Sequence, residues 1–170
     1  MDALQDVLAL LDTRSHLSAG LVAGGEWALR FRPPPGVKFN AVRRGNCLLE
    51  VDGAAEPLEL SSGDCYLLTR PSGFVLRSAA GVPATDAEPV FARARDGMAR
   101  TGVGDEVLLL GGSFSFGSRA QELLLDGLPP VIHVPAGTPQ AETVEWALHE
   151  IGQELRQSAA GSTLVAEHLA

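Results

Sequence analysis

The residue in this sequence best suited to binding chemistry is Lys38, the single lysine beside twelve arginines. Lys38, Asn40 and Val42 occupy alternate positions, so a strand here places all three on one face. An ammonium group on such a face can bind a carboxylate or a carbonyl oxygen, with Asn40 as a hydrogen-bond partner. The alternative is a lysine at a strand end that reaches water or pairs with a structural acid.

The other reactive residue types form no catalytic or metal-binding pattern. The four histidines, His16, His133, His149 and His168, are scattered without a ligand spacing. His133 lies between apolar residues and is typical of a hydrogen-bonded structural histidine. Cys47 and Cys65 make no CxxC pair, so we expect two buried core thiols. No order of Ser, His and Asp indicates a hydrolase.

Two glycine-containing segments have simple structural interpretations. Asp64 follows Gly63 and is first of all a turn residue. The run from Gly111 to Gly117 superficially suggests a phosphate-binding loop, but it has no GxGxxG spacing and no lysine after it. We therefore expect a strand with a tight entry.

Length and charge restrict the function classes. The 170 residues suit one domain, or one domain with a helical appendage. A net charge of −8 argues against a phosphate-binding surface, which requires clustered Lys and Arg. No apolar run approaches the roughly 18 residues of a membrane span, and the start is acidic and amphipathic. These features predict a soluble, cytoplasmic protein.

Short strands must position Lys38. Alternation through Trp27, Leu29 and Phe31, and again through Cys47, Leu49 and Val51, predicts strands with frequent Gly and Pro turns between them. Further strands are predicted at 106–110, 113–116 and 131–134. Residues 81–104 are expected to form a long loop with at most one or two helical turns. The pattern favours an antiparallel sandwich or barrel.

Helices are predicted at both ends. Leu4, Val7, Leu8 and Leu11 form one apolar face within 2–12. Thr138 can cap a second helix, with Pro139 at its first position and an apolar stripe running to Arg156. Trp146 lies off that stripe and indicates a contact with a second subunit or with the barrel wall. A last helix carries Leu164, Val165 and Leu169 and stops mid-pattern, as a segment of a longer protein would.

The stretches Lys38–Gly45 and Gly63–Phe74 resemble the two motifs of the cupin superfamily. The resemblance implies a double-stranded β-helix barrel whose metal-bound members hold an ion with three His and one Glu. In this sequence the Glu place is Lys38, the His-x-His pair falls within 32–36, and the last His place is Phe74. None of these side chains binds a divalent cation. The resemblance therefore implies a cupin barrel without the metal site.

The chain as a whole resembles the N-terminal ligand-binding cupin domain of AraC/XylS-type bacterial transcription regulators. The matching stretches, in order, are 6–11 with 14–15, 24–31, 38–42, 44–45, 63–64, 112–116 and 128–133. The sequence departs from common members in having Asn40, Arg70 and Phe74 where His is frequent, which weakens any metal-based or His-based sensing role.

The resemblance implies a division into a barrel over 1–135 and a helical linker and dimerisation segment over 136–170, with helix-turn-helix DNA-binding motifs in a further C-terminal domain. It implies a small-molecule effector in the barrel and no catalysis. The expected ligand-binding residues are Lys38, Asn40, Trp27, Phe31 and Phe74, and the expected homodimer interface residues are Trp146, Leu164, Val165 and Leu169. Promoter DNA is expected to bind only through the further domain, and no membrane partner or cofactor is expected.

Two other functions stay open at this point. One is a cupin enzyme, such as a sugar isomerase, an epimerase or a dioxygenase, that takes its metal from residues outside the usual places. The other is a domain that binds no ligand and serves only for dimerisation.

Overall fold

Two β-sheets make up most of the structure, a computed structural model that describes residues 14–115 and 127–140. The strands are β1 (Arg14–Leu17), β2 (Gly20–Gly24), β3 (Ala28–Phe31), β4 (Val37–Arg44), β5 (Asn46–Val51), β6 (Leu58–Ser61), β7 (Cys65–Leu68), β8 (Phe74–Arg77), β9 (Thr85–Asp86), β10 (Met98–Gly102), β11 (Val107–Ser115) and β12 (Val131–Val134). One short helix, α1 (Ala87–Ala92), lies between β9 and β10. The predicted mainly-β fold is confirmed for the described residues.

The larger sheet has the order β10-β2-β11-β4-β7-β12, and β1 also pairs with β11. The smaller sheet has the order β6-β5-β8-β3-β9. Most pairs are antiparallel, while β10 runs parallel to β2 and β9 runs parallel to β3. Strand β4 lies inside the larger sheet between β11 and β7, so Lys38 is opposite Ser113 on one side and Leu68 on the other.

Alternating side chains build the core between the sheets. Leu29, Leu49 and Leu76 lie side by side in the smaller sheet and are almost completely buried. Arg30, the next residue along β3, is exposed. The predicted alternation is therefore observed, because successive side chains of a strand point to opposite faces of its sheet. Cys47 and Cys65 are both buried, as expected.

The two motif glycines, Gly45 and Gly63, sit in tight turns. Their φ angles are 78° and 93°, in the region that side chains other than glycine rarely adopt. A Cβ at Gly45 would also collide with the carbonyl oxygen of Glu106. The Gly63 turn is bonded to β4, because Gly63 donates to the Val42 carbonyl and Val42 donates to the Asp64 carbonyl. These turns fix where β4 and β7 run relative to each other.

Two expectations about the second half need correction. Residues 81–104 contain α1, within the expected one or two turns, but they also contain strands β9 and β10. Strand β10 exists because Ala99 is buried against β2, a pairing that the local Gly-rich and Arg-rich sequence does not indicate. The two strands predicted at 106–110 and 113–116 form one continuous strand, β11, from Val107 to Ser115, with a bulge between Leu108 and Leu109.

The predicted terminal helices fall mainly outside the described residues. The helix expected within 2–12 and the last helix are outside them entirely. Of the helix expected from Thr138, Pro139 and Gln140 are described and are helical. The Thr138 hydroxyl donates to the Pro135 carbonyl over 2.9 Å, which orders the chain at this point.

Candidate binding cavity

A cavity of about 310 Å³ lies between the two sheets. Its walls come from β3 and β8 of the smaller sheet, from β4 and β11 of the larger sheet, and from α1. The proline-rich link 32–36 and the link between β1 and β2 complete the lining. The volume is at the low end of the range of small-molecule sites, which run from about 300 to 1,000 Å³.

Lys38 brings one positive charge into this cavity. Its Nζ donates a hydrogen bond to the Ser18 hydroxyl over 2.9 Å, and Ser113, its neighbour on β11, also lines the cavity. Burial lowers the pKa of Lys38 from 10.5 to about 8, because removing the ammonium group from water disfavours its charge. Among the described side chains, no carboxylate lies within ion-pair distance of it.

Asn40 lies beside Lys38 on the same face of β4 and also lines the cavity. Its Nδ2 donates to the hydroxyl oxygen of Tyr66, directly across on β7. Tyr66 is fully buried, and burial raises its pKa well above the ordinary value, so the phenol stays neutral. On the other side, a Cβ at Gly111 would collide with the Asn40 side chain. Asn40 is thus held in place from both neighbouring strands.

Three phenylalanines form the aromatic part of the cavity wall. The rings of Phe31 and Phe74 are stacked, with centroids 4.7 Å apart and planes 7° apart. Phe91 of α1 meets Phe31 edge to face, with a centroid distance of 5.6 Å. Phe31 and Phe74 are paired neighbours on β3 and β8, which explains their stacking. Phe74 is almost completely buried, so Phe31 is the more accessible ring of the stacked pair.

The other charged residues of the cavity lining already have partners. Arg32 pairs with Glu88 at 3.1 Å and approaches Asp86 at 4.0 Å, which joins the proline-rich link to the start of α1. Arg30 pairs with Asp52 at 3.3 Å. All of these side chains are at least half exposed, so each pair contributes little to stability.

The predicted ligand-binding residues separate into two groups. Lys38, Asn40, Phe31 and Phe74 all line this one cavity. Trp27 is buried in the core and is not among the residues that line this cavity. It shares a face with Phe31 but lies four residues before it, about 13 Å away along an extended strand.

Sequence reasoning missed Phe91, Ser18 and Ser113. Ser113 follows Leu109 and Gly111 at alternate positions of β11. The prediction of one continuous strand here would therefore have placed Ser113 beside Lys38. Phe91 had no such signal, because its helix belongs to a segment expected to be mostly loop. Ser18 lies in a link between strands, where no periodicity applies.

The comparisons with known proteins agree on the family. The family model Cupin_6, described as Cupin, matches residues 2–170. The chain belongs to the cupin family. It is 66% identical over all 170 residues to a candidate AraC-like transcription regulator of Streptomyces lividans, and 65% identical to one of Streptomyces antibioticus. The chain spans 56% of the length of each of these relatives.

Solved structures with a similar arrangement are more distant. ToxT from Vibrio cholerae O395 has a TM-score of 0.46 and 11% identity, over 85% of this chain and 46% of ToxT. YhaK from Escherichia coli has a TM-score of 0.43 and 12% identity, over 76% of this chain and 46% of YhaK. Within the described residues, no helix is long and apolar enough to cross a membrane.

The places that hold the metal in metal-binding cupins converge on the cavity. Lys38, Phe74 and the prolines Pro34 and Pro35 are all in its lining. An ammonium group repels a cation, and proline and phenylalanine side chains have no donor atom, so these residues do not fit a divalent metal. Across 14–115 and 127–140, no three His, Cys, Asp or Glu side chains group together for one. The metal-dependent cupin enzyme is therefore not favoured.

His133 and Asp64 form a separate polar group that holds the end of the barrel together. His133 Nε2 lies 3.2 Å from Asp64 Oδ2, and Asp64 also accepts hydrogen bonds from the amides of Ser61 and Ala136. Burial raises the pKa of Asp64, but these backbone bonds and His133 outweigh it and hold the pKa below the ordinary value. This geometry is that of a structural histidine and a turn aspartate.

The remaining predicted residues cannot be placed. Trp146, Leu164, Val165 and Leu169, together with His149 and His168, lie outside the described residues.

Proposed function

We propose that this chain is the effector-sensing and dimerisation domain of an AraC-type transcription regulator. The observation that carries the proposal is the cavity between the sheets, whose lining combines the phenylalanine wall with one half-buried lysine at a place that holds a metal ligand in other cupins. A buried ammonium group is costly unless a partner meets it, and a bound ligand would provide one. The relatives that match the whole chain are named as candidate regulators of this kind.

In this proposal the effector contacts the ammonium group of Lys38 and the amide of Asn40 and packs against Phe31 and Phe74. No metal takes part. Binding favours one arrangement of the barrel and of the helical segment after residue 135. The contacts are continuous, since β4 pairs with β7, β7 pairs with β12, and Ala136 after β12 is bonded to Asp64.

The remaining parts of the proposal rest on the sequence pattern and on the lengths of the relatives. The helical segment would form a homodimer through Trp146, Leu164, Val165 and Leu169. Promoter DNA would bind through a further domain, because the chain spans 56% of the length of the regulators it matches. A chain with a net charge of −8 is poorly suited to bind DNA itself.

A thermal-shift screen of the purified chain tests effector binding. Small carboxylates, sugars and aromatic compounds are each added in excess, and an effector should raise the melting temperature with its concentration. A Ser113→Leu variant, which adds apolar bulk to the cavity next to Lys38, should lose the shift while staying folded. A hit that shifts Ser113→Leu equally, or a panel without any hit, would contradict effector binding in this cavity.

A further inference from the structure

The pairing of charges around the cavity favours a ligand with one negative charge. The lining contains three cations, Arg30, Arg32 and Lys38, and two acids, Asp86 and Glu88. Asp52, the partner of Arg30, lies outside the lining, and with it the cations and acids number three each. The two arginines already pair with carboxylates. Lys38 is the lining cation whose described partner is a neutral hydroxyl, that of Ser18.

The donors near Lys38 suit a carboxylate. An ammonium group has three N–H donors, and one of them is directed to the Ser18 oxygen. The Ser18 hydroxyl accepts that bond and keeps its own hydrogen for donation, and Ser113 adds a second hydroxyl to the lining. Hydrogen bonds between an ammonium group and a carboxylate are about twice as strong as those between neutral groups. A neutral ligand would gain less at this position.

The rest of the lining suits an apolar ring. Phe31, Phe74 and Phe91 meet at one wall, and Leu76 and Leu109 contribute aliphatic surface from the two sheets. An uncharged sugar could use the polar part of the lining but would give Lys38 no charged partner. A flat ring can instead lie against the Phe31–Phe74 stack.

We propose that the effector is a compact aromatic monocarboxylate, whose carboxylate binds the Lys38 ammonium and the neighbouring serine hydroxyls and whose ring packs on the phenylalanine wall. This inference rests on the proposed function, because it places the effector in the same cavity. It goes beyond that function by giving the ligand one charge, one orientation and a small aromatic body.

The test compares matched probes by isothermal titration calorimetry on the 170-residue chain. 4-tert-Butylbenzoate is the aromatic acid, 4-tert-butylbenzamide is its neutral analogue, and octanoate is an aliphatic acid. The aromatic acid should bind about tenfold or more tightly than the amide, because only the acid forms an ion pair with the ammonium group. Equal affinity of acid and amide would overturn the carboxylate assignment. Octanoate binding as tightly as the aromatic acid would overturn the aromatic assignment.

Substitutions then locate the carboxylate. Lys38→Met keeps an unbranched side chain one heavy atom shorter and removes its charge, and it should reduce the affinity for the acid about tenfold while leaving that for the amide nearly unchanged. Arg44→Met is the matched control, because Arg44 lies on the same strand but points to the Asp105 carbonyl outside the cavity lining. An unchanged affinity for the acid in Lys38→Met would remove Lys38 from the site.

The single lysine of the chain permits a direct spectroscopic readout. Reductive methylation with ¹³C-formaldehyde labels only Lys38 and the terminal amine, so one side-chain resonance reports the site. At saturation the aromatic acid should raise the pH midpoint of this resonance, because a carboxylate stabilises the ammonium charge, and the amide should not.

Different results would contradict the proposal of effector binding and the proposal of an aromatic carboxylate. If another compound of the thermal-shift panel binds wild type but not Ser113→Leu, while 4-tert-butylbenzoate does not bind at all, effector binding stands and the carboxylate proposal is wrong. If no compound binds in the cavity, both are wrong.

Discussion

Burying the ammonium group of Lys38 costs free energy, and this cost indicates a site where a ligand could offset it. Its folded-state pKa of about 8 lies below the ordinary value of 10.5 because the ammonium group is buried without a described carboxylate partner. At neutral pH the folded chain therefore holds a charge that is more stable in water. Natural sequences often keep such costs at binding sites, where a ligand offsets them.

We expect Lys38→Met to stabilise the ligand-free chain at pH 7. The gain is at most about 3 kcal/mol, given 1.36 kcal/mol per pKa unit. Urea denaturation of the two proteins measures it. The control Arg44→Met removes exposed hydrogen bonds to the Asp105 carbonyl and therefore should not stabilise the chain.

The same shift predicts a pH dependence. Between pH 8 and 10.5 the unfolded chain holds a proton on Lys38 that the folded chain has lost, so the contribution of Lys38 to the free energy of unfolding becomes more favourable as pH rises. The difference in the free energy of unfolding between wild type and Lys38→Met should therefore become smaller from pH 8 to pH 10.5. A difference that stays constant from pH 7 to 10.5 would show that Lys38 is not buried as a charge.

At the scale of elements, the approach of β11 to β4 determines the shape of the site. Gly111 is opposite Asn40, and its missing side chain leaves room for the amide that binds Tyr66. A Cβ there would overlap both the Asn40 side chain and the Phe39 carbonyl oxygen. Glycine weakens a strand interior, so its presence here indicates a close approach and not a loop.

Gly111→Ala should therefore destabilise the fold. Because the Phe39 carbonyl belongs to the neighbouring strand and cannot rotate away, we expect a loss of about 1–3 kcal/mol in the free energy of unfolding. Gly127→Ala is the control, since no atom of the described residues lies within 4 Å of a Cβ at Gly127. Urea titrations of both variants make the measurement, and equal stability of the two would contradict the close approach.

Helix α1 and strand β10 illustrate what local sequence does not specify. Strand β10 pairs with β2, which lies more than 70 positions earlier in the chain. Its residues contain no clear alternation, and only the position of β2 gives them a partner. Phe91 reaches the cavity because α1 is fixed between β9 and β10, so its role could not be predicted from the residues around it.

For the whole molecule, the acidic net charge and the proposed dimer both bear on how the chain would influence DNA binding. In the proposed function, a domain with a net charge of −8 would affect promoter binding only through the position that it gives to the DNA-binding domains, and a dimer would fix the spacing of two such domains. The proposed interface depends on Trp146, which lies off the apolar stripe of its predicted helix.

Sedimentation equilibrium tests the dimer. The chain should be dimeric at micromolar concentration, and Trp146→Ala should weaken the association by about tenfold or more, because buried aromatic side chains dominate interface energies. A chain that is monomeric at every concentration, or a dimer that Trp146→Ala leaves unchanged, would remove this interface.

The sequence by itself determined which residues face the interior, and therefore that Lys38 and Asn40 lie together, because a strand alternates its side chains with a period of two. It also determined that the residues at the metal-ligand positions of other cupins do not fit a divalent cation, since that depends on residue type alone. Only the tertiary structure decided that Trp27 belongs to the core while Phe31 lines the cavity, and that Phe91, Ser18 and Ser113 complete the lining. Alternation predicts the face of the sheet on which a side chain lies, but not its position along the strand relative to the cavity. That position is set by pairings between strands far apart in the chain.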